Sequence, residues 1–233
     1  MPSINVFNLP SAFAAQTELH FRSVPSPRES RIDIGELIHH HNIYTHSPMA
    51  TVRSIGEFSE LSDSVTTIIV DCDCCNEKET TLFDLSKFTN LKTLEVGSHS
   101  FEFVKEVKLI GLHLLERIEI GKKCFSGDEK GSRFHLRDCE RLRELRIGCY
   151  SFNNYSVCEI QNVASLEVIV MGVLACESLC FCYSSLELKG ESHTEDSRIG
   201  LSKLKSLLLG GGAFAMCHSI VMESFLGEFA FME

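Results

Sequence analysis

From Val65 onward the apolar side chains fall into pairs of short alternating runs, and a glycine closes the first run of almost every pair. The stretches LKTLEVGSHSF (91–101), LERIEIGKKCF (115–125), LRELRIGCYSF (142–152), LEVIVMGVLAC (166–176) and LKSLLLGGGAF (204–214) share one template, L-x-x-[LI]-x-[VIML]-G-x-x-[small]-[F/C]. Its glycines, Gly97, Gly121, Gly148, Gly172 and Gly210, lie 24, 27, 24 and 38 residues apart. A degenerate copy, VTTIIVDCDCC, precedes them, with Asp71 in the glycine slot and Cys74 and Cys75 in the last two. Each unit then carries a second alternating pair: Phe83 and Leu85, Val107 and Leu109, Phe134 and Leu136, Cys158 and Ile160, Leu186 and Leu188, Ile220 and Met222.

Alternation at period two over so few residues predicts strands with one buried face, two per unit, joined at a glycine corner. One such unit cannot bury its own Leu, Ile and Phe side chains. Stacked units can, with parallel strands about 4.8 Å apart over a continuous core. The expectation is a mainly β repeat protein, a solenoid of about six coils with two short parallel-stacked strands per coil. The corner glycines are expected where the backbone needs positive φ or has no room for a side chain.

On these residues the chain resembles the leucine-rich repeats, specifically the BspA-like type, whose G-x-x-A-F-x-x-C-x-x-[LI] pattern is matched most closely by Gly210, Ala213, Phe214, Cys217 and Ile220. The resemblance covers residues 52–224. Two features depart from it: the proline common between coils of that family is missing, and some coils carry insertions. The resemblance implies a leucine-rich-repeat-type scaffold that binds proteins or surfaces, with no catalysis and no cofactor.

All five prolines lie within the first 48 residues. Proline cannot donate to a strand ladder, so their absence afterwards agrees with stacked strands, whereas SVPSPRES reads as a linker. Residues 1–50 are therefore read as a partly flexible segment and 51–64 as a cap at the entry to the stack. The solenoid is assigned to 65–224 and an apolar tail to 225–233, which either folds back over the last coil or marks an array that continues further. Two polar insertions, GDEKGS (127–132) and KGESHTEDSRIG (189–200), are expected to protrude from the solenoid as surface loops.

The 32 acidic and 22 basic side chains give a formal charge of −10, which argues against a nucleic-acid footprint. No apolar run approaches the roughly 20 residues needed to span a bilayer, and the N-terminus lacks a basic region followed by an unbroken apolar run. Eleven cysteines, an odd number without a disulfide-like spacing, fit a reducing compartment, so the reading is cytoplasmic. The alternative is a cell-surface or adhesion protein whose signal or anchor lies outside this chain.

Candidate chemistry is weighed against packing. The run Gly210-Gly211-Gly212 is not followed by Lys-Ser or Lys-Thr, so it reads as a corner and not a phosphate loop. Cys72-Asp73-Cys74-Cys75 and Cys180-Phe181-Cys182 lack the spacing of a zinc site. Cys74, Cys75, Cys124 and Cys176 fall in template slots, which marks them as small core residues. His39-His40-His41 with His46 reads as an exposed tract and no metal is assigned. Cys217 and His218 are adjacent and so splay apart, which disfavours nucleophilic catalysis. Asn154-Tyr155-Ser156 is a glycosylation sequon that matters only in a secreted chain. No catalytic residue is assigned, and the chain is not expected to be an enzyme.

If Leu94 and Val96 point inward, Thr93 and Glu95 point outward. The same register exposes Arg117, Glu119, Glu144, Arg146, Val168, Val170 and Leu208, with Thr67, Ile69 and Ser206 on the flanks. Stacking sets Arg117 beside Glu144 and Glu119 beside Arg146, opposite charges that tune register. Val168, Val170 and Leu208 then make an outward aliphatic patch, the kind of contiguous apolar surface that marks a contact site. The expected partner is a protein; the competing reading is that a neighbouring segment such as FLGEFAF covers the patch. On the second strands, Arg133, His135 and Arg137 read as a solvated basic spot without function.

Overall fold

The alternating runs are strands in the computed structural model, which describes residues 49–127, 131–173, 177–189 and 203–222. The histidine tract, the proline-containing segment, half of the first insertion and nearly all of the second, Cys176 and the FLGEFAF tail lie outside these residues. In chain order the elements are β1 (Met49–Val52), α1 (Ile55–Ser59), β2 (Thr67–Val70), β3 (Leu82–Asp84), β4 (Thr93–Val96), β5 (Glu106–Ile110), β6 (Arg117–Ile120) and β7 (Arg133–Arg137). They continue as β8 (Glu144–Ile147), β9 (Val157–Gln161), β10 (Val168–Met171), β11 (Ser185–Lys189), β12 (Ser206–Leu209) and β13 (Ile220–Met222).

The strands build two parallel sheets, one ordered β1-β2-β4-β6-β8-β10-β12 and the other β13-β11-β9-β7-β5-β3. The chain alternates between them, so the protein is a β-solenoid whose core lies between the sheets. In the first sheet Ile68, Leu94, Ile118, Leu145 and Ile169 stack in one buried row and Val70, Val96, Ile120, Ile147 and Met171 in the next. Phe83, Val107, Phe134, Cys158 and Leu186 supply a matching buried row of the second sheet.

The first strand, Met49–Val52, spans the boundary drawn at residue 50 and joins β2 in register. Helix α1 follows it. Ser54 caps that helix by accepting from the Glu57 N–H at 3.2 Å, and Phe58 lays its ring against Phe83, Phe88 and Phe101. A short helix thus closes one end of the core with an aromatic side chain.

The corner glycines do line up. The N–H groups of Gly97, Gly121, Gly148, Gly172 and Gly210 each donate to the last strand residue of the coil before, at 2.7–2.8 Å. The reason glycine is needed there is proximity. At Gly97, Gly121 and Gly148 an added Cβ would lie 2.5–2.6 Å from backbone of the preceding coil, while positive φ occurs at Gly172 alone of the five. Close stacking, more than torsion, selects the residue.

Left-handed torsions occur just beyond, at the second and fourth residues after the corner: His99 and Phe101, Lys123 and Phe125, Tyr150 and Phe152. A bulky residue with φ above zero is uncommon and costs roughly 1–2 kcal/mol. Here the turn drives each Phe ring into the core and aims its N–H at the preceding coil, as in Phe152 N–H to Cys124 C=O at 3.0 Å. Phe101, Phe125, Phe152, Phe181 and Phe214 form one column with successive centroids 4.6–5.6 Å apart and interplanar angles of 2–6°.

That column corrects the fourth template match, LEVIVMGVLAC. Phe181, nine residues after Gly172, fills the aromatic slot assigned to Cys176, and Cys180 fills the small one. Five extra residues enter this coil at its first corner, and Ser178 closes the excursion by bonding both the N–H and the C=O of Val173, at 2.8 and 2.9 Å.

The small slot also has a polar task. Ser100 Oγ, Cys124 Sγ, Ser151 Oγ and Cys180 Sγ donate to the carbonyls of Asp71, Gly97, Gly121 and Gly148, each one coil back, at 2.7–3.1 Å. Serine and cysteine interchange because both are small and both donate. A second corner follows the second strands, where Gly111, Asp138 and Asn162 take positive φ, all residue types that tolerate that region.

Candidate protein-interaction face

The outer face of the first sheet gathers all nine residues singled out from the sequence. Its two rows read Thr67, Thr93, Arg117, Glu144, Val168, Ser206 and Ile69, Glu95, Glu119, Arg146, Val170, Leu208. The register sets Arg117 opposite Glu144 and Glu119 opposite Arg146, as the template requires. The bonding is partly along the strands. Arg117 pairs with Glu119 on its own strand and reaches Glu144 at 3.5 Å, while Arg146 holds Glu144 at 2.5 Å. No Glu119–Arg146 ion pair forms among the described residues.

These four side chains make a neutral chain of ion pairs, Glu119–Arg117–Glu144–Arg146, in the middle of the sheet. Beside it Val168, Val170 and Leu208 are half-buried, contiguous and on the outer face. One residue before each strand, Lys92, Glu116, Arg143, Glu167 and Lys205 stack in turn through N–H to C=O bonds one coil back, so charge alternates along that edge. Lys205 and Glu167 pair at 2.5 Å, and that hydrogen bond holds the Glu167 carboxyl below its ordinary value.

The second sheet differs from the solvated basic spot expected of it. Glu159 stands on the outer side of β9 yet is buried, with 8% of its side chain exposed, because His135 and Arg137 fold over it. His135 Nδ1 lies 2.7 Å from its carboxylate and Arg137 bonds the same oxygen. Burial opposes the charge of Glu159, but the hydrogen bonds and positive charge of Arg137 and His135 outweigh it and keep the carboxyl below its ordinary value. A carboxyl so depressed stabilises the fold above the ordinary glutamate range and loses that contribution as pH falls through its folded value. Glu159→Gln is therefore expected to cost about 1.5–3 kcal/mol at neutral pH. In chemical melts at stepped pH the gap to the parent should narrow below the carboxylate range, and a pH-independent gap would contradict this account.

All ten described cysteines are free thiols. Burial pushes Cys75, Cys124, Cys139 and Cys180 up to about 12, so these thiols stay protonated near neutrality. Burial likewise raises Cys217, the member of the Cys217-His218 pair, and His218 is exposed. Among the described residues no group of three or more His, Cys, Asp or Glu is placed to hold a metal ion. No helix among them is long and apolar enough to cross a membrane. In the sequon, Asn154 is half-buried and its amide donates to the Gly127 carbonyl at 3.3 Å, while Tyr155 is buried and donates to the Val104 carbonyl at 2.7 Å.

Sequence reasoning did not find Tyr183 and Met216, which are 52% and 59% exposed at the edge of the last coils. Their template columns become legible only once Phe181 is placed. Comparison with protein-family profiles, curated proteins and solved structures found no significant match.

Proposed function

We propose that this chain is a non-catalytic scaffold of the leucine-rich-repeat type, BspA-like in its corner pattern, that binds a protein partner through the outer face of its first sheet. The observation that carries the reading is the aliphatic group Val168, Val170 and Leu208, which lies on the outer side of a sheet whose inner side already holds the core. Contiguous outward apolar surface beside a charged margin is the composition of a contact site. The neutral quartet next to it presents fixed donors and acceptors without adding net charge. Ten free cysteines among the described residues support a reducing, cytoplasmic setting.

Val168→Glu and Leu208→Glu are each expected to abolish recovery of the bound partner in affinity capture while leaving the melting temperature unchanged. Both positions lie outside the core, so the substituted carboxylate finds solvent. Unchanged recovery of the same partner by both variants would remove this face from consideration.

A further inference from the structure

We infer that the partner of this face is an extended segment carrying a lysine or arginine over Glu95 and aliphatic side chains over Val170 and Leu208; the inference rests on the reading just proposed. In the second outward row Glu95 stands directly opposite Glu119. Like charges so placed repel. Arg117 and Arg146 are committed to Glu119 and Glu144, and Glu95 makes no hydrogen bond or ion pair among the described residues. The face therefore keeps one carboxylate without a bonded partner at one end, offset only at a distance by Arg117, whose guanidinium is bonded to Glu119, and an aliphatic group at the other. A cation arriving over Glu95 relieves the repulsion, and an anion is rejected. The chain's formal charge of −10 steers the same kind of partner toward it.

The strand spacing sets the partner's pattern. Glu95 and Val170 are separated by three strand steps, on β4, β6, β8 and β10, or about 14 Å at the usual spacing. An extended chain laid across the strands advances about 3.4 Å per residue and returns to the same face every second residue. A basic residue over Glu95 thus places its fourth neighbour over Val170 and its sixth over Leu208. The second neighbour falls over Glu119 and Arg146, where a polar side chain fits. The partner reads as a basic residue, then a polar one, then two aliphatic ones at every second position, in either chain direction.

The test uses a phage-displayed random 12-residue peptide library selected against the full chain, followed by fluorescence anisotropy of the enriched peptide on parent, Glu95→Lys and Val170→Glu proteins, all checked for unchanged melting. The expected result is enrichment of a lysine or arginine four residues from an aliphatic one. Glu95→Lys should weaken that peptide roughly tenfold, and reselection on the variant should exchange the basic residue for an acidic one. Val170→Glu should abolish binding. If Val170→Glu abolishes binding but Glu95→Lys leaves it unchanged, or the enriched peptides lack the spacing, the basic-partner inference falls and the interaction face stands. If no peptide is enriched, or neither variant changes binding, both fall.

Discussion

Phe152→Ala is expected to destabilise the protein by about 4 kcal/mol, the largest loss of any single truncation in the core. The ring is wholly buried and stacks on Phe125 at 4.7 Å and Phe181 at 4.6 Å, with Phe134 and Tyr155 edge-on at 5.1 and 5.0 Å. Removing it empties the middle of the column, and the coils on either side cannot close the gap because their spacing is fixed by the parallel ladders. The left-handed torsion at position 152 then persists without the burial that offsets it. Phe152→Leu should fall between the two, since it keeps most of the volume and loses the stacking. Tyr183→Ala, at an exposed site, should stay within about 0.5 kcal/mol of the parent. Equilibrium denaturant melts decide the matter, and a loss at Phe152 no larger than that at Tyr183 would dissolve the column as an energetic unit.

Gly148→Ala should cost about 3 kcal/mol, roughly 6–12 °C in melting temperature for a chain of this size. A Cβ there would sit 2.6 Å from the carbonyl carbon and oxygen of Gly121 and 2.8 Å from the Lys122 nitrogen. All three are backbone atoms of the preceding coil, so the strain can be relieved only by prising two coils apart, which also stretches the Gly148 N–H bond to Ile120. Gly56→Ala is the matched control. Its added methyl meets only Ser54 Oγ, at 3.7 Å, and alanine favours α1, so it should be neutral or stabilising by up to about 1 kcal/mol. Equal effects at the two sites would show that stacking distance is not what selects the corner residue.

The solenoid was legible because burial repeats in the sequence with the period of the coil. Leu94, Ile118, Leu145 and Ile169 occupy one slot in the template and one row in the sheet, so register and outward face follow by counting. What counting missed has a physical cause in each case. Phe181 was overlooked because five residues enter after Gly172, and a fixed-offset template cannot see an excursion that leaves the column intact. The hydrogen bonds of Cys124 and Cys180 were hidden because cysteine also reads as a small apolar residue, and only the carbonyl one coil back shows the thiol in use. The burial of Glu159 was not legible because it comes from Arg137 two positions along the neighbouring strand as well as from His135 directly across. On the candidate face the charged residues were correctly placed, but their preference for partners on the same strand depends on side-chain geometry that alternation does not encode.

The excursion between Val173 and Ser178 carries a lesson for building with this chain. Nature has spliced five residues into a corner and the aromatic column runs past them undisturbed, with a single serine hydroxyl clamping the two ends of the detour. A guest peptide grafted between those clamped ends would be displayed at a known height in the stack, between β10 and β12, without asking the host to refold around it.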